Sequence, residues 1–388
     1  MFCCAYCRVR LFLLTGDFFR YYIPPAEDVR GEIFYVPYWR FKGLYYAVLP
    51  LEVAGKALDQ TFLSAGRGFF PANLGFRPQA LTLRFASPEL TGRFLPSKVP
   101  LRDVFTVAEG HPSVRTGPRA FHRAFIGKTA SMIYAPVYLD DGVVHDAVLK
   151  RPVSSRAAAI REELDSAGPQ TGWSVGFLST LCPECGWQLT GENESAVFIC
   201  GNCVSVWEIS GTDLKRVKFI VSPGGQHGLF YAPFWRVSVV AEGVELNTYA
   251  DLVRFANLPR TVKREWEQQE LYFWLPAFRT NPDWFLRLAA LLTATQPQIV
   301  NDDRRIWTSR ESFAAITLAA GEAASGLKAA LAKLTLKRHY PMLPDVELSL
   351  KSAALVLLPF KRNGAEFIEV NLNFRLPGQM FPQRSTSR

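Results

Sequence analysis

The chain is short of the residues that most often carry chemistry. Its five histidines, His111, His122, His145, His227 and His339, are scattered, and no two stand at a metal-binding spacing. Gly127-Lys128-Thr129 lacks the leading glycine of a phosphate-cradling loop, because His122 stands in its place. Long apolar runs are also missing. The cleanest, Met132 to Leu139 and Ala353 to Phe360, fall well short of the roughly 20 residues that cross a bilayer as a helix. The opening Met1-Phe-Cys-Cys-Ala-Tyr-Cys-Arg8 has no basic stretch, sustained apolar core or small-residue cleavage site. A cytoplasmic protein is the expectation from these absences. Cysteine is scarce, at seven residues, yet all but Cys3 fall in Cys-x-x-Cys pairs.

Apolar content is ample. With 388 residues and 48% hydrophobic composition the chain can bury sizeable cores in two or three domains, so disorder is not expected. The order of landmarks is more telling. Cys4-Ala-Tyr-Cys7 is followed by Tyr35-Val-Pro37-Tyr-Trp39-Arg40, and Cys200-Gly-Asn-Cys203 is followed at the same spacing by Tyr231-Ala-Pro233-Phe-Trp235-Arg236. Two motifs in one register point to a tandem duplication. Phe69-Phe70-Pro71-Ala72 with Arg77-Pro78 loosely parallels Trp274-Leu275-Pro276-Ala277 with Asn281-Pro282. Lys128 to Pro136 parallels Lys351 to Pro359, and each run meets a turn pair, Asp141-Gly142 or Asn363-Gly364, suited to a type I′ hairpin. Each copy is therefore expected to end in a hairpin whose first strand is buried on both faces.

Helical signals lie between. Asn281 and Pro282 read as N-cap and first residue of a helix with Trp284, Leu288 and Leu291 as its apolar stripe. Ser309 to Lys333 is Ala-rich and interrupted by Gly321 and Gly326, which predicts two helices or a kinked one. Ser155 to Gly168 reads as a linker helix with Glu162 and Glu163 solvated, and Pro169 to Gly176 as the clearest boundary.

Cys182-Pro-Glu-Cys185-Gly186 and Cys200-Gly-Asn-Cys203 form two C-x2-C knuckles at a separation typical of tetrahedral metal sites, with Gly186 and Gly201 giving the turns their freedom. Residues 178–210 resemble a zinc ribbon, a module of transcription factors, polymerase subunits, ribosomal proteins and many unrelated bacterial proteins. That resemblance implies two β-hairpins clasping structural zinc. Iron in a rubredoxin-like site is the competing assignment, since four thiolates suit either metal. Cys4 and Cys7 match the back half of the ribbon with no front half before them. A start placed too far downstream, a second chain completing the site, or a decayed site would each account for this, and Cys3 offers a third thiol. The partial site Cys4, Cys7 stays open.

In the strand around Trp39, the residues Tyr38, Arg40 and Lys42 share one face, as do Phe234 and Arg236 in the second copy. They form a candidate aromatic and cationic binding surface. The same strand also reads as core, with its proline expected at a strand start or edge. Net charge is +9, concentrated in the first 155 residues, where Arg93, Lys98, Arg102, Arg115, Arg119, Arg123 and Lys128 face only Asp103 and Glu109. Arg115, Arg119 and Arg123 are the candidates for phosphate contact.

The expected fold is α+β: a duplicated sheet-and-helix lobe, with an intact ribbon before the second copy and a half-ribbon before the first. The expected divisions are 1–30 half-ribbon, 31–150 first repeat, 151–177 linker, 178–210 ribbon, 211–376 second repeat and 377–388 flexible tail. The expected function is a non-enzymatic, zinc-stabilised binding or scaffold protein that meets a protein partner or itself. Nucleic-acid binding through the basic first repeat, and an enzyme with His145 or His227 in an inter-lobe cleft, are the alternatives.

Overall fold

The stretch Ile33 to Leu49, rich in aromatic and β-branched residues, has the composition of a strand covered on both faces, and it organises the first half of the molecule. The computed structural model describes residues 2–3, 6, 8–65, 69–87, 89–110, 120–153, 157–169, 175–225, 228–299 and 312–381. In chain order, β1 (Phe2–Cys3) and β2 (Arg10–Thr15) lead. Next come β3 (Phe19–Tyr22), β4 (Ile33–Leu49), β5 (Glu52–Leu63), α1 (Arg77–Ala80), β6 (Arg84–Phe85), β7 (Arg93–Phe94), α2 (Leu101–Gly110), β8 (His122–Asp140) and β9 (Val143–Asp146). Helix α3 (Ala157–Asp165) and β10 (Val175–Ser179) follow, then β11 (Leu189–Thr190), β12 (Val197–Cys200), β13 (Val206–Ser210) and β14 (Asp213–Val217). The last part contains β15 (Phe219–Val221), β16 (Phe230–Glu242), α4 (Tyr249–Ala256), β17 (Phe273–Pro276), α5 (Pro282–Thr295) and β18 (Ser312–Phe313). It closes with α6 (Ala320–Ala324), α7 (Leu327–Leu334), β19 (Glu347–Asn363), β20 (Glu366–Glu369) and β21 (Arg375–Pro377).

The structure is a mixed α/β fold with two seven-stranded sheets. In the first, β4 lies between β5 and β8 in antiparallel pairing, while β7 runs parallel to β4 and β3 parallel to β8. In the second, β16 lies between β17 and β19 in antiparallel pairing, β18 runs parallel to β16 and β15 parallel to β19. The registers agree as well. Tyr35 faces Pro136 and Trp39 faces Met132, while Tyr231 faces Pro359 and Trp235 faces Leu355. On the other side Tyr38 faces Leu63 and Phe234 faces Pro276. The register positions that Trp274–Ala277 hold beside β16 are thus held beside β4 by Thr61–Ser64, and not by Phe69–Ala72 as the sequence match suggested. Phe69–Ala72 instead runs beside this strand, where the Leu63 amide donates to the Ala72 carbonyl at 2.9 Å.

Pro37 and Pro233 lie inside central strands, contrary to the expectation of a strand start or edge. The reason is a change of neighbour. The Tyr35 and Pro37 carbonyls accept from Leu95 and Ser64, and those of Tyr231 and Pro233 from Ala314 and Ala277. Each proline nitrogen therefore faces the gap where the parallel neighbour ends and the antiparallel one begins. Proline has no N–H, so it asks for no acceptor where the strand changes neighbours.

Both hairpins form, with first strands buried on both faces around Met132 to Val137 and Leu355 to Phe360. Asp141 (φ 44°) and Gly142 (φ 77°) are the central residues of one turn, as a type I′ turn needs. In the other, Asn363 still pairs with Glu366, so the central pair is Gly364-Ala365, one residue later than expected, with Gly364 at φ 60°. Lys128 lies at a bulge within β8 opposite Gly43, because the strand begins upstream at His122.

The helices follow their caps. Asn281 accepts from the Trp284 amide at 2.9 Å and Pro282 opens α5. Its buried face is Phe285, Leu288, Ala289 and Leu292; Leu291 is exposed and Trp284 half-buried, so the expected stripe sits at the margin of the true one. The Ala-rich segment does make two helices, broken at Gly326, while Gly321 stays within α6 and Ser312–Phe313 forms a strand. A Cβ at Gly326 would stand 2.5 Å from Ile126 of the first sheet and 3.0 Å from Phe285, so glycine permits this contact.

The two sheets do not keep separate cores. Leu44, Tyr46, Val48 and Ile126, at one end of the first sheet, pack into the core formed by Phe285, Leu327 and Leu331 of the second. Tyr46 donates its hydroxyl to the Pro282 carbonyl at 2.9 Å. Helix α3 is more than a linker: Ile160 and Leu164, with Ala167 just past its end, are buried in the first core, and Glu163, expected to be solvated, pairs with Lys98 at 2.8 Å. The supposed tail begins later than residue 377, since Phe381 is buried against Phe230, Phe278 and Phe367. Among the described residues no helix is long and apolar enough to cross a membrane.

Candidate metal centre

Strands β11 to β14 form a four-stranded antiparallel sheet, and its two C-x2-C turns face one another. The first turn is closed by main-chain bonds from Cys182 to Trp187 and from Gly186 to Cys182, both 2.8 Å; the second by one from Cys200 to Ser205, also 2.8 Å. Ligand atoms of Cys182, Cys185, Cys200 and Cys203 all lie within 4.8 Å of one another. Cys182 and Cys203 stand 3.5 Å apart, as do Cys185 and Cys200. Four sulfurs so placed can hold one metal ion in a tetrahedral shell, with no position left for water or substrate.

Gly186 takes φ 72°, as expected of the residue after a knuckle. Gly201 is not at positive φ. The left-handed residue in the second knuckle is Val204, at φ 55°, directly after Cys203. A β-branched residue in that region is strained, at a cost of about 1–3 kcal/mol. The knuckle geometry, which needs a left-handed residue after its second cysteine, overrides the preference of the side chain.

A polar relay lies beneath the sulfurs. The indole of Trp207 donates to Ser205 Oγ at 2.8 Å, which leaves the serine proton for sulfur. Ser205 Oγ is 3.0 Å from Cys203 Sγ and 3.4 Å from Cys182 Sγ. Burial raises the Cys182 thiol, but Ser205 and the amides of Cys185 and Glu184 outweigh it and bring it down to about 6. At Cys203 the Ser205 hydroxyl acts downward, yet burial and the crowding of Cys182, Cys200 and Cys185 push it up to about 12. Four crowded thiols thus release their protons unequally, and a cation placed among them would relieve that crowding.

The centre is fixed on two sides. Ala196 and Val197 amides donate to the Ile316 carbonyl of the second lobe, and Val197, Ile199 and Val206 enter its core. On the other side β2 pairs with β10, Thr180 donates to the Arg10 carbonyl, and Phe12 packs edge-on against Phe198 at 5.9 Å. The lead hairpin resembles the ribbon: Phe2 faces Leu11 as Phe198 faces Trp207, and Arg8 (φ 58°) has the left-handed place of Val204. Cys4 and Cys7 lie outside the described residues, and the side chain of Cys3 is not described.

The candidate binding residues separate. Tyr38 is buried and donates to the Pro71 carbonyl at 3.0 Å. Arg40 is buried and bound through two nitrogens to Asp59, each at 2.7 Å. Lys42 is exposed, and Arg236 is half-buried over the Tyr272 ring at 4.4 Å with its Nε unpartnered. Of the basic residues, Arg93 donates to the carbonyls of Ala167 and Asp165, Lys98 pairs with Glu163, and Arg123 is exposed. Arg115, Arg119, His111 and His227 lie outside the described residues. His145 is stacked on Tyr138 at 5.4 Å.

Sequence reasoning missed two buried acids. Asp146 accepts from the Val148 and Leu149 amides and meets Arg77 at 2.5 Å; Glu369 accepts from Asn371 and Leu372 at the matching register position. Burial raises the Glu369 carboxyl, whose Oε1 has no partner. An acid ending the second strand of each hairpin was the available signal.

No family model, curated protein or solved structure matches this chain.

Proposed function

We propose that the chain is a non-enzymatic binding or scaffold protein of the cytoplasm, built by tandem duplication of one sheet-and-helix lobe and braced by a zinc ribbon. The closed shell of four sulfurs carries this reading, because it offers a metal to the architecture and none to a substrate. Zinc is preferred over iron, in keeping with the ribbon-like knuckles. The duplication is supported by the shared registers around Trp39 and Trp235 and by the paired acids Asp146 and Glu369. Two like lobes present two similar surfaces, an arrangement suited to bivalent contact with a protein partner or a second copy.

The test is metal analysis of the purified protein together with light scattering before and after chelation. About one zinc per chain is expected from four thiolates, with assembly lost when it is removed. A metal-free protein that assembles unchanged would refute the reading, and a red chromophore would assign iron.

Nucleic-acid binding is the second reading, supported by the exposed cations Arg123 and Lys42 in the first lobe. It requires retention on heparin that weakens steeply with salt.

A further inference from the structure

Where the two lobes meet, the seam opens into a cavity of about 340 Å³. Its walls come from the start of β8, the junction of α6 and α7, and the start of β19. Arg123, Lys128, Lys328 and His122 line it. Its acidic neighbours are few. Glu347 lines it but is bonded to Lys328 at 3.2 Å, and Glu322, near enough to feel Lys128, is held toward its neutral form by burial. Among the described residues no carboxylate pairs with Arg123 or with Lys128, whose ammonium lies over the Phe105 ring at 4.7 Å.

The polar groups are prepared for an occupant. Lys328 is 5% exposed, and its ammonium donates to the Pro344 carbonyl and to Glu347, so one of its three N–H groups is left over. His122 Nε2 is buried without any hydrogen-bond partner. Burial, and then the charge of Lys328, keep that imidazole neutral, able to donate one hydrogen bond without adding charge. Phe125, Leu327 and Leu348 supply an apolar surface beside the cations.

We propose that this seam cavity binds a phosphorylated small molecule. Its phosphate meets Arg123, Lys128, Lys328 and His122, and its organic part lies on Phe125, Leu327 and Leu348. The size fits, since small-ligand cavities begin at about 300 Å³. The site uses both lobes, so its occupant bridges them. It does not depend on the metal, and stands or falls apart from the scaffold reading.

The test is calorimetric titration of the full-length protein with pyrophosphate, ATP and a single-stranded oligothymidylate, alongside thermal melting. ATP and pyrophosphate should bind and raise the melting temperature. Arg123→Glu and Lys128→Glu should each weaken binding at least about tenfold, the loss of one charge-assisted contact, while leaving the ligand-free melting temperature within a degree or two. Arg362→Glu, at the far end of β19, should bind as the parent does. Failure of both small phosphates to bind at millimolar concentration would overturn the proposal. So would equal weakening by Arg362→Glu, or binding of the oligonucleotide alone.

Discussion

The indole N–H of Trp235 donates to the main-chain oxygen of Leu318 at 2.9 Å, and Trp39 makes the same bond to Val99 at 2.8 Å. In each sheet this bond ties the central strand to the segment after the parallel neighbour. The tryptophan holds the place where its strand changes partners.

Trp235→Phe should keep most of the packing but leave a buried carbonyl unmet, lowering stability by about 1–3 kcal/mol. Trp39→Phe should act alike through Val99. Urea unfolding followed by circular dichroism measures both. A change below experimental error in both variants would show the bonds to be unimportant.

Gly326→Val would drive side-chain atoms into Ile126 and Phe285. We expect a loss of about 1–3 kcal/mol from overpacking, with faster amide exchange in the Leu44 to Val48 segment. Exchange confined to α6 and α7 would mean that the seam adjusts elsewhere.

The metal centre predicts a chelator effect. Stripping the ion from the intact protein should lower the melting temperature and free four thiols for titration under native conditions. Cys200→Ser should lose metal and stability together, because Cys200 is buried beside Phe198. A protein whose melting is indifferent to chelation has no structural ion here.

Arg40 and Arg236 occupy like positions with unlike partners. Asp59→Asn removes one side of a charged, bidentate pair and should cost about 1–3 kcal/mol, after allowance for the partial exposure of Asp59. Tyr272→Phe retains the ring under Arg236 and should change stability by less than about 1 kcal/mol. Comparable losses in the two variants would contradict the contrast.

Glu369 should give the protein a pH signature. Its carboxyl is raised by burial, so the folded state holds the proton more tightly than the unfolded chain. That contribution is complete below the ordinary glutamate value and lost as pH rises through the folded value. Stability should therefore fall across that window, and Glu369→Gln should flatten the fall. An identical pH profile in the variant would assign the titration to another group.

What could be read beforehand was local. The knuckles, the N-cap at Asn281 and the turn at Asp141-Gly142 depend on residues a few positions apart, and they formed as expected. The role of Pro37 was hidden, because the gap it faces is created by β5 and β7, which no spacing near Pro37 reveals. The same holds for Thr61–Ser64, which corresponds to Trp274–Ala277 in register but not in residue type. At the metal centre, Val204 was missed because its side chain argues against the backbone that it adopts. Tyr38 and Arg40 could be read as a binding surface or, with more weight, as core, and the covered second face of the sheet leaves both buried.

The antiparallel pairing of Arg10–Thr15 with Val175–Ser179 has a consequence for synthesis. On the ribosome, the earlier strand must wait for some 160 residues before its mate emerges. Until then its free edge is open to wrong neighbours, which makes nascent chains of intermediate length the forms most in need of a chaperone.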